Sequence, residues 1–139
     1  MKISFATISE SAIIDQQSNQ LSIINIIERI EFFGPLPFQF PKITLVMNGE
    51  RNINSNISKS ETLSIKVSKI SPSGVSENIN EFKLTIEEGK ERTRAIISLM
   101  GIQFSEIGVY QFLIESVHEK STKSEQIVYV SVLGTQKNK

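Results

Sequence analysis

Three segments of this chain alternate apolar and polar residues with a period of two: Leu63, Ile65 and Val67 against Ser64, Lys66 and Ser68; Phe82, Leu84 and Ile86 against Lys83 and Thr85; Tyr110, Phe112 and Ile114 against Gln111 and Glu115. Successive side chains of a strand point to opposite faces, so each segment predicts a strand with one face in a core and the other in water. Val128, Val130 and Val132 give a fourth, with Tyr129 and Ser131 on the opposite face. The apolar residues are dominated by isoleucine, whose stiff χ1 suits a pleated sheet. Alanine, the best helix former, stands only at Ala6, Ala12 and Ala95.

Turn signals separate these runs at 16–19, 49–60, 71–74, 87–92, 105–108 and 121–125. Short strands punctuated in this way predict hairpins and antiparallel pairing. The expected strands cover 2–10, 20–32, 42–49, 60–70, 79–87, 93–100, 108–118 and 126–133. Over 20–32, Ile23, Ile26, Ile27 and Ile30 also fall at helical spacing, so a helix competes there with one long, bulged strand. Five isoleucines and the absence of a capping box favour the strand. The expected fold class is an all-β, immunoglobulin-like antiparallel β-sandwich of about eight strands. It forms one domain over 1–134, followed by a polar tail, 135–139, that has nothing to bury.

The segment Glu106-Ile107-Gly108-Val109-Tyr110-Gln111-Phe112 has the pattern in which an acidic residue and a glycine turn the chain into a strand whose tyrosine bonds back to upstream backbone, a tyrosine corner. An ordinary hairpin with a turn glycine and a buried tyrosine would read the same way. Phe112 stands where antibody domains carry cysteine, and the chain has no tryptophan, so the pattern points to a disulfide-free sandwich.

Several short motifs together resemble a family of small bacterial proteins of unknown function. They are Ser4-Phe5-Ala6-Thr7, the run from Leu21 to Ile30, Phe40-Pro41 leading into a strand, and Phe104, Gly108, Tyr110 and Phe112 in a Phe-x-x-x-Gly-x-Tyr-x-Phe segment. The resemblance implies an immunoglobulin-like sandwich in a bacterial cytoplasm and supplies no activity, ligand or catalytic residue. The chain departs from the family at Asn25, where members commonly have glycine, which argues against a positive-φ backbone there.

Composition narrows the function. Fifteen basic side chains balance fifteen acidic ones, leaving no long-range field to gather nucleic acid or an anionic membrane surface. With no cysteine, a disulfide framework and a thiolate metal site are excluded. Glu10 interrupts the N-terminal apolar stretch before it reaches the length of a signal sequence, and no window approaches the roughly 18 apolar residues of a spanning helix. The expected location is the cytoplasm, with no membrane partner.

Candidate chemistry is sparse. His118 is the one histidine and Asp15 the one aspartate, so a Ser-His-Asp arrangement would need both to converge on a serine. A turn cap explains Asp15 and a solvated strand end explains His118. Glu87, Glu88 and Glu91 cluster, but Lys90, Arg92 and Arg94 neutralise them at an expected hairpin tip. No metal site, cofactor or catalytic residue is assigned. Lys59, Lys66 and Lys69 could form a basic stripe, although Lys66 needs no partner on a polar strand face.

The segment Phe32 to Pro41 gathers four of the eight phenylalanines and three of the four prolines. It reads as a crossover plugging one open end of the sandwich, or as a rigid aromatic surface offering Phe33, Leu36, Phe38 and Phe40 to a partner. The leading functional expectation is a non-enzymatic interaction or scaffold module whose partner is another protein or itself. The alternatives are a subunit of a bacterial or phage-derived homo-oligomeric assembly, and a glutamate-dependent hydrolase or lyase built on convergent carboxylates.

Overall fold

A computed structural model describes residues 1–52, 56–117 and 123–134. His118 and the tail 135–139 lie outside them. The described residues form nine strands: β1 (Lys2–Ile14), β2 (Leu21–Ile26), β3 (Arg29–Phe32), β4 (Phe38–Glu50), β5 (Glu61–Ile70), β6 (Ser76–Ile86), β7 (Arg92–Phe104), β8 (Gly108–Val117) and β9 (Lys123–Gly134). They make two sheets, ordered β2-β1-β4-β7 and β3-β9-β8-β5-β6, packed face to face as a sandwich. No helix among the described residues is long and apolar enough to cross a membrane.

The alternating positions fall as the sequence predicts. Leu63, Ile65 and Val67 of β5, Tyr110, Phe112 and Ile114 of β8, and Val130 and Val132 of β9 are buried on the inner face of one sheet. Ile43, Leu45 and Met47 of β4 and Leu99 of β7 face them from the other. Each side chain of this size, fully buried, contributes about 1.5–3 kcal/mol of transfer free energy.

The segment 20–32 is neither one strand nor a helix. β2 pairs with β1 in the first sheet, and β3 pairs with β9 in the second. Between them the Ile27 amide donates to Ile8 O (2.7 Å), while Glu28 O accepts the Ser131 amide (3.0 Å), so the chain steps from one sheet to the other within two residues. This raises the strand number to nine and makes β3–β9 the one parallel pair among the described strands, a correction to a wholly antiparallel sandwich.

Asn25 does adopt a left-handed backbone, with φ at +53°. Asparagine tolerates that region because its short amide can bond locally, and here Nδ2 donates to Glu10 Oε2 at 2.8 Å. The kink has a consequence. Beyond Ser9 the β1–β2 hairpin leaves β4 and bends over the outer face of the first sheet, so that β1 runs to Ile14 rather than to residue 10. Thr44 and Val46, which alternation turns away from the core, are therefore as buried as Leu45 between them. Thr44 Oγ1 donates to Glu10 O (3.2 Å), and at the far tip Arg94 reaches Asn19 O (3.5 Å).

Two buried cations hold the ends. Arg51 lies in the expected turn 49–60, yet its side chain is only 3% exposed, and its guanidinium donates to Lys90 O (2.6 Å), Lys59 O (2.7 Å), Glu87 O (3.0 Å) and Asn56 O (3.3 Å). Glu61 Oε1 completes its shell at 3.4 Å. Lys69 crosses the sandwich with its side chain 9% exposed, donating to Gln103 O, pairing with Glu77 at 3.0 Å and lying 5.8 Å from the Phe104 ring centroid. That position removes Lys69 from any surface basic stripe.

Candidate interaction surface

The tyrosine corner is present. The Tyr110 hydroxyl accepts from the amides of Glu106 (2.9 Å) and Ser105 (3.1 Å), and its ring meets Phe104 edge-on, 4.9 Å between centroids. Ser73 Oγ donates to Glu106 Oε2 at 2.7 Å and holds that carboxyl below its ordinary value. Gly108, with φ at +137°, lets the turn press against Pro72, where a Cβ would meet the ring at 2.8 Å. The corner thus fixes where β8 begins and which of its side chains point outward.

Several of those outward side chains are apolar, with Gln111 and Ser131 set between them. Along β8 and β9, Val109 pairs with Ser131, Gln111 with Tyr129, and Leu113 with Ile127. Val109 is 51% exposed, Tyr129 57% and Ile127 42%. Both faces of these strands therefore carry apolar residues, a pattern that belongs to sheets covered on both sides, yet nothing described here covers the outer one. At one end of the strip, the exposed Ile107 comes near Gly134, next to the end of β3. At the other, Ile26 joins Ile127 and Tyr129 around an open cleft of about 430 Å³, floored by Ala6 and Thr7. The seven residue steps from Ile127 to Gly134 span about 23 Å at the rise of an extended strand.

The Phe32 to Pro41 segment divides between the two roles considered for it. Phe38 and Phe40 belong to β4, which starts at Phe38 rather than at 42, and both pack against the core. Phe32 is buried and stacks on Phe38 at 5.1 Å, and Phe38 meets Phe40 edge-on at 6.2 Å. These three rings close the end of the sandwich. Phe33 is 70% exposed and Leu36 38%, so only they remain at the rim as outward contacts. Pro41 sits inside β4 where β7 is the only strand alongside, an edge position that needs no amide donor.

Of the other residues singled out, Asp15 Oδ1 accepts from the Gln17 (2.8 Å) and Ser18 (2.9 Å) amides as a turn cap. The bond from the Ser18 amide, followed by that from Gln17, holds its carboxyl below the ordinary value. Glu87 and Lys90 contribute backbone carbonyls to Arg51. Among the described residues no three His, Asp or Glu side chains gather as metal ligands would. The cleft beside Tyr129 and two smaller ones, beside Lys69 and beside Arg94, hold at most one carboxylate each, Glu28 in the first and Glu77 in the second.

A family model matches residues 4–127, and its description is a family of unknown function, DUF6941. The chain belongs to this family. The match takes in the tyrosine corner, the kinked hairpin and the whole of β8, so the geometry that exposes Val109 lies inside the DUF6941 region. No curated protein is significantly similar to this DUF6941 chain. One solved structure, a family 123 glycoside hydrolase from Clostridium perfringens studied for glycolipid glycan hydrolysis, is similar over 94% of this chain and 27% of its own, with 15% identity and a TM-score of 0.40. This chain spans about a quarter of that protein, and a likeness so distant carries nothing about activity.

Proposed function

We propose that the protein is a non-enzymatic interaction module that docks a partner protein on the outer face of β8 and β9. The observation that carries this reading is the exposed apolar strip of Val109, Ile127 and Tyr129. Contiguous apolar surface with an aromatic at its centre costs little rotamer entropy to bury and is characteristic of protein interfaces. The balanced charge, fifteen against fifteen, supports a protein partner over nucleic acid or a membrane surface.

The reading has a structural side. The order β9-β8-β5-β6, the parallel β3–β9 pair and the corner at Tyr110 support an immunoglobulin-like assignment, with the β1 hairpin as an addition. A bacterial cytoplasm is the setting we infer, supported by the cysteine-free composition.

The test is affinity recovery from the native host with wild type and an Ile127→Lys, Tyr129→Lys variant. Both positions are exposed, so the variant folds with unchanged circular dichroism and loses the co-purifying partner. A folded variant that recovers the same partner in the same amount refutes the strip as the docking face.

A further inference from the structure

We propose that two copies of this chain pair through β2, edge to edge and antiparallel, around a two-fold axis at Ile23. The inference goes beyond the partner strip on β8 and β9 and does not depend on it. The two sheets have four outermost strands, β2, β7, β3 and β6, and three of these are guarded. β3 carries Arg29 and Glu31; β6 carries Glu77, Glu81 and Lys83. β7 carries Arg92 and Arg94, is broken by the left-handed Gly101 at φ +65°, and is tied to the opposite sheet through Lys69 and Gln103. Charges and irregularities of this kind prevent strand addition.

β2 reads Leu21-Ser22-Ile23-Ile24-Asn25-Ile26, with no charged residue and no proline. It pairs with β1 on one side only, and among the described residues its other side makes no strand pairing. Pairing with any of the other three edges would desolvate charged residues against isoleucine. Among these outermost strands, a second β2 is the one that brings none. Charge therefore selects a second copy of the chain as the occupant.

The register follows from the turn. The Asp15 amide donates to Gln20 O at 2.9 Å, which makes 15 and 20 a hydrogen-bonded pair of the hairpin. Alternation along an antiparallel ladder then turns the backbone groups of Ser22 and Ile24 toward β1 and those of Leu21 and Ile23 outward. Opposite residues of a two-fold antiparallel pair lie on one face. The axis therefore falls on a residue, and on Ile23 it lets two copies exchange both N–H···O bonds. Ser22 of each copy then faces Ile24 of the other, and the exposed isoleucines 13 and 24 of the two copies join into one continuous patch.

The chain contains no cysteine, which makes the test direct. Opposed hydrogen-bonded residues sit about 5.5 Å apart between Cα atoms, a separation that a short bis-maleimide bridges between two thiols. With that reagent Ile23→Cys forms a covalent dimer, whereas Ser98→Cys, exposed on the outer face of β7, stays monomeric. Sedimentation equilibrium gives a dimer for wild type and at least about tenfold weaker association for Ile23→Pro, which removes only an outward amide, and for Ser22→Lys, which places a charge against Ile24. A monomeric wild type at high concentration, or equal cross-linking of the two cysteine variants, overturns the proposal. Because Ser22 and Ile23 lie off the β8–β9 strip, Ser22→Lys keeps the heterologous partner whichever way the dimer test falls.

Discussion

Replacing Arg51 with alanine removes the donor that joins the turn 56–60 to the hairpin 87–90. Four carbonyls, those of Lys90, Lys59, Glu87 and Asn56, lose their shared guanidinium, and Glu61 loses a cation 3.4 Å away. A net value of about 1 kcal/mol for each of the four hydrogen bonds gives roughly 4 kcal/mol. With a slope of about 2 kcal/mol per M, the urea midpoint falls by roughly 2 M. Arg51→Lys recovers less than half of this, because an ammonium carries three donors on one atom and cannot span carbonyls fanned around a planar fork. Lys90→Ala, which keeps the carbonyl Arg51 uses, shifts the midpoint by less than about 0.5 kcal/mol equivalent. Urea unfolding followed by tyrosine fluorescence measures all three. An Arg51→Ala midpoint within error of wild type, at unchanged slope, would show that the two turns hold themselves and that the reasoning is wrong.

Three further outcomes are expected. Tyr110→Phe keeps the ring against Phe104 but strands the amides of Ser105 and Glu106, lowering stability by about 1–3 kcal/mol in the same assay. Phe38→Ala opens the stack on Phe32 and Phe40 and costs about 2–3 kcal/mol, whereas Phe33→Ala, at an exposed rim position, stays within about 0.5 kcal/mol. Asp15 has its carboxyl held below the ordinary 3.8 by the Ser18 and Gln17 amides, so its contribution is present above that pH and is lost as pH falls through the depressed value. Asp15→Asn accordingly flattens the acid limb of the stability curve below about pH 4, as urea midpoints across the acid range will show.

Much of the fold could be read from local pattern, because alternation and turn chemistry are local properties. Leu63, Ile65 and Val67 face inward because the period of two leaves them no other face, and Tyr110 bonds upstream because a glycine two residues before it sets the corner. What stayed hidden depends on distant partners. Ile27 and Glu28 change sheets because Ile8 and Ser131 accept and donate there, which no spacing within 20–32 encodes. Lys69 continues the inward positions of Leu63, Ile65 and Val67, but the groups that satisfy a lysine there, Gln103 O and Glu77, come from elsewhere in the chain. Arg51 sits in a polar turn with nothing beside it to mark a buried clamp.

The candidate surface was half visible. Phe33 and Leu36 are outward as one reading of the aromatic segment required, while Phe38 and Phe40 serve the other. The signal for the β8–β9 strip was present in Val109, Leu113, Ile127 and Tyr129, apolar at positions that alternation assigns to water. A strand apolar on both faces implies a second cover, and that inference was available from the residues alone.

Site-specific photocross-linking in the native host probes the β8–β9 face itself, with a benzophenone side chain at position 129 compared with position 83, on the charged edge strand β6. A discrete protein adduct is expected from 129 and none from 83. Adducts from both positions alike, or from neither, contradict it.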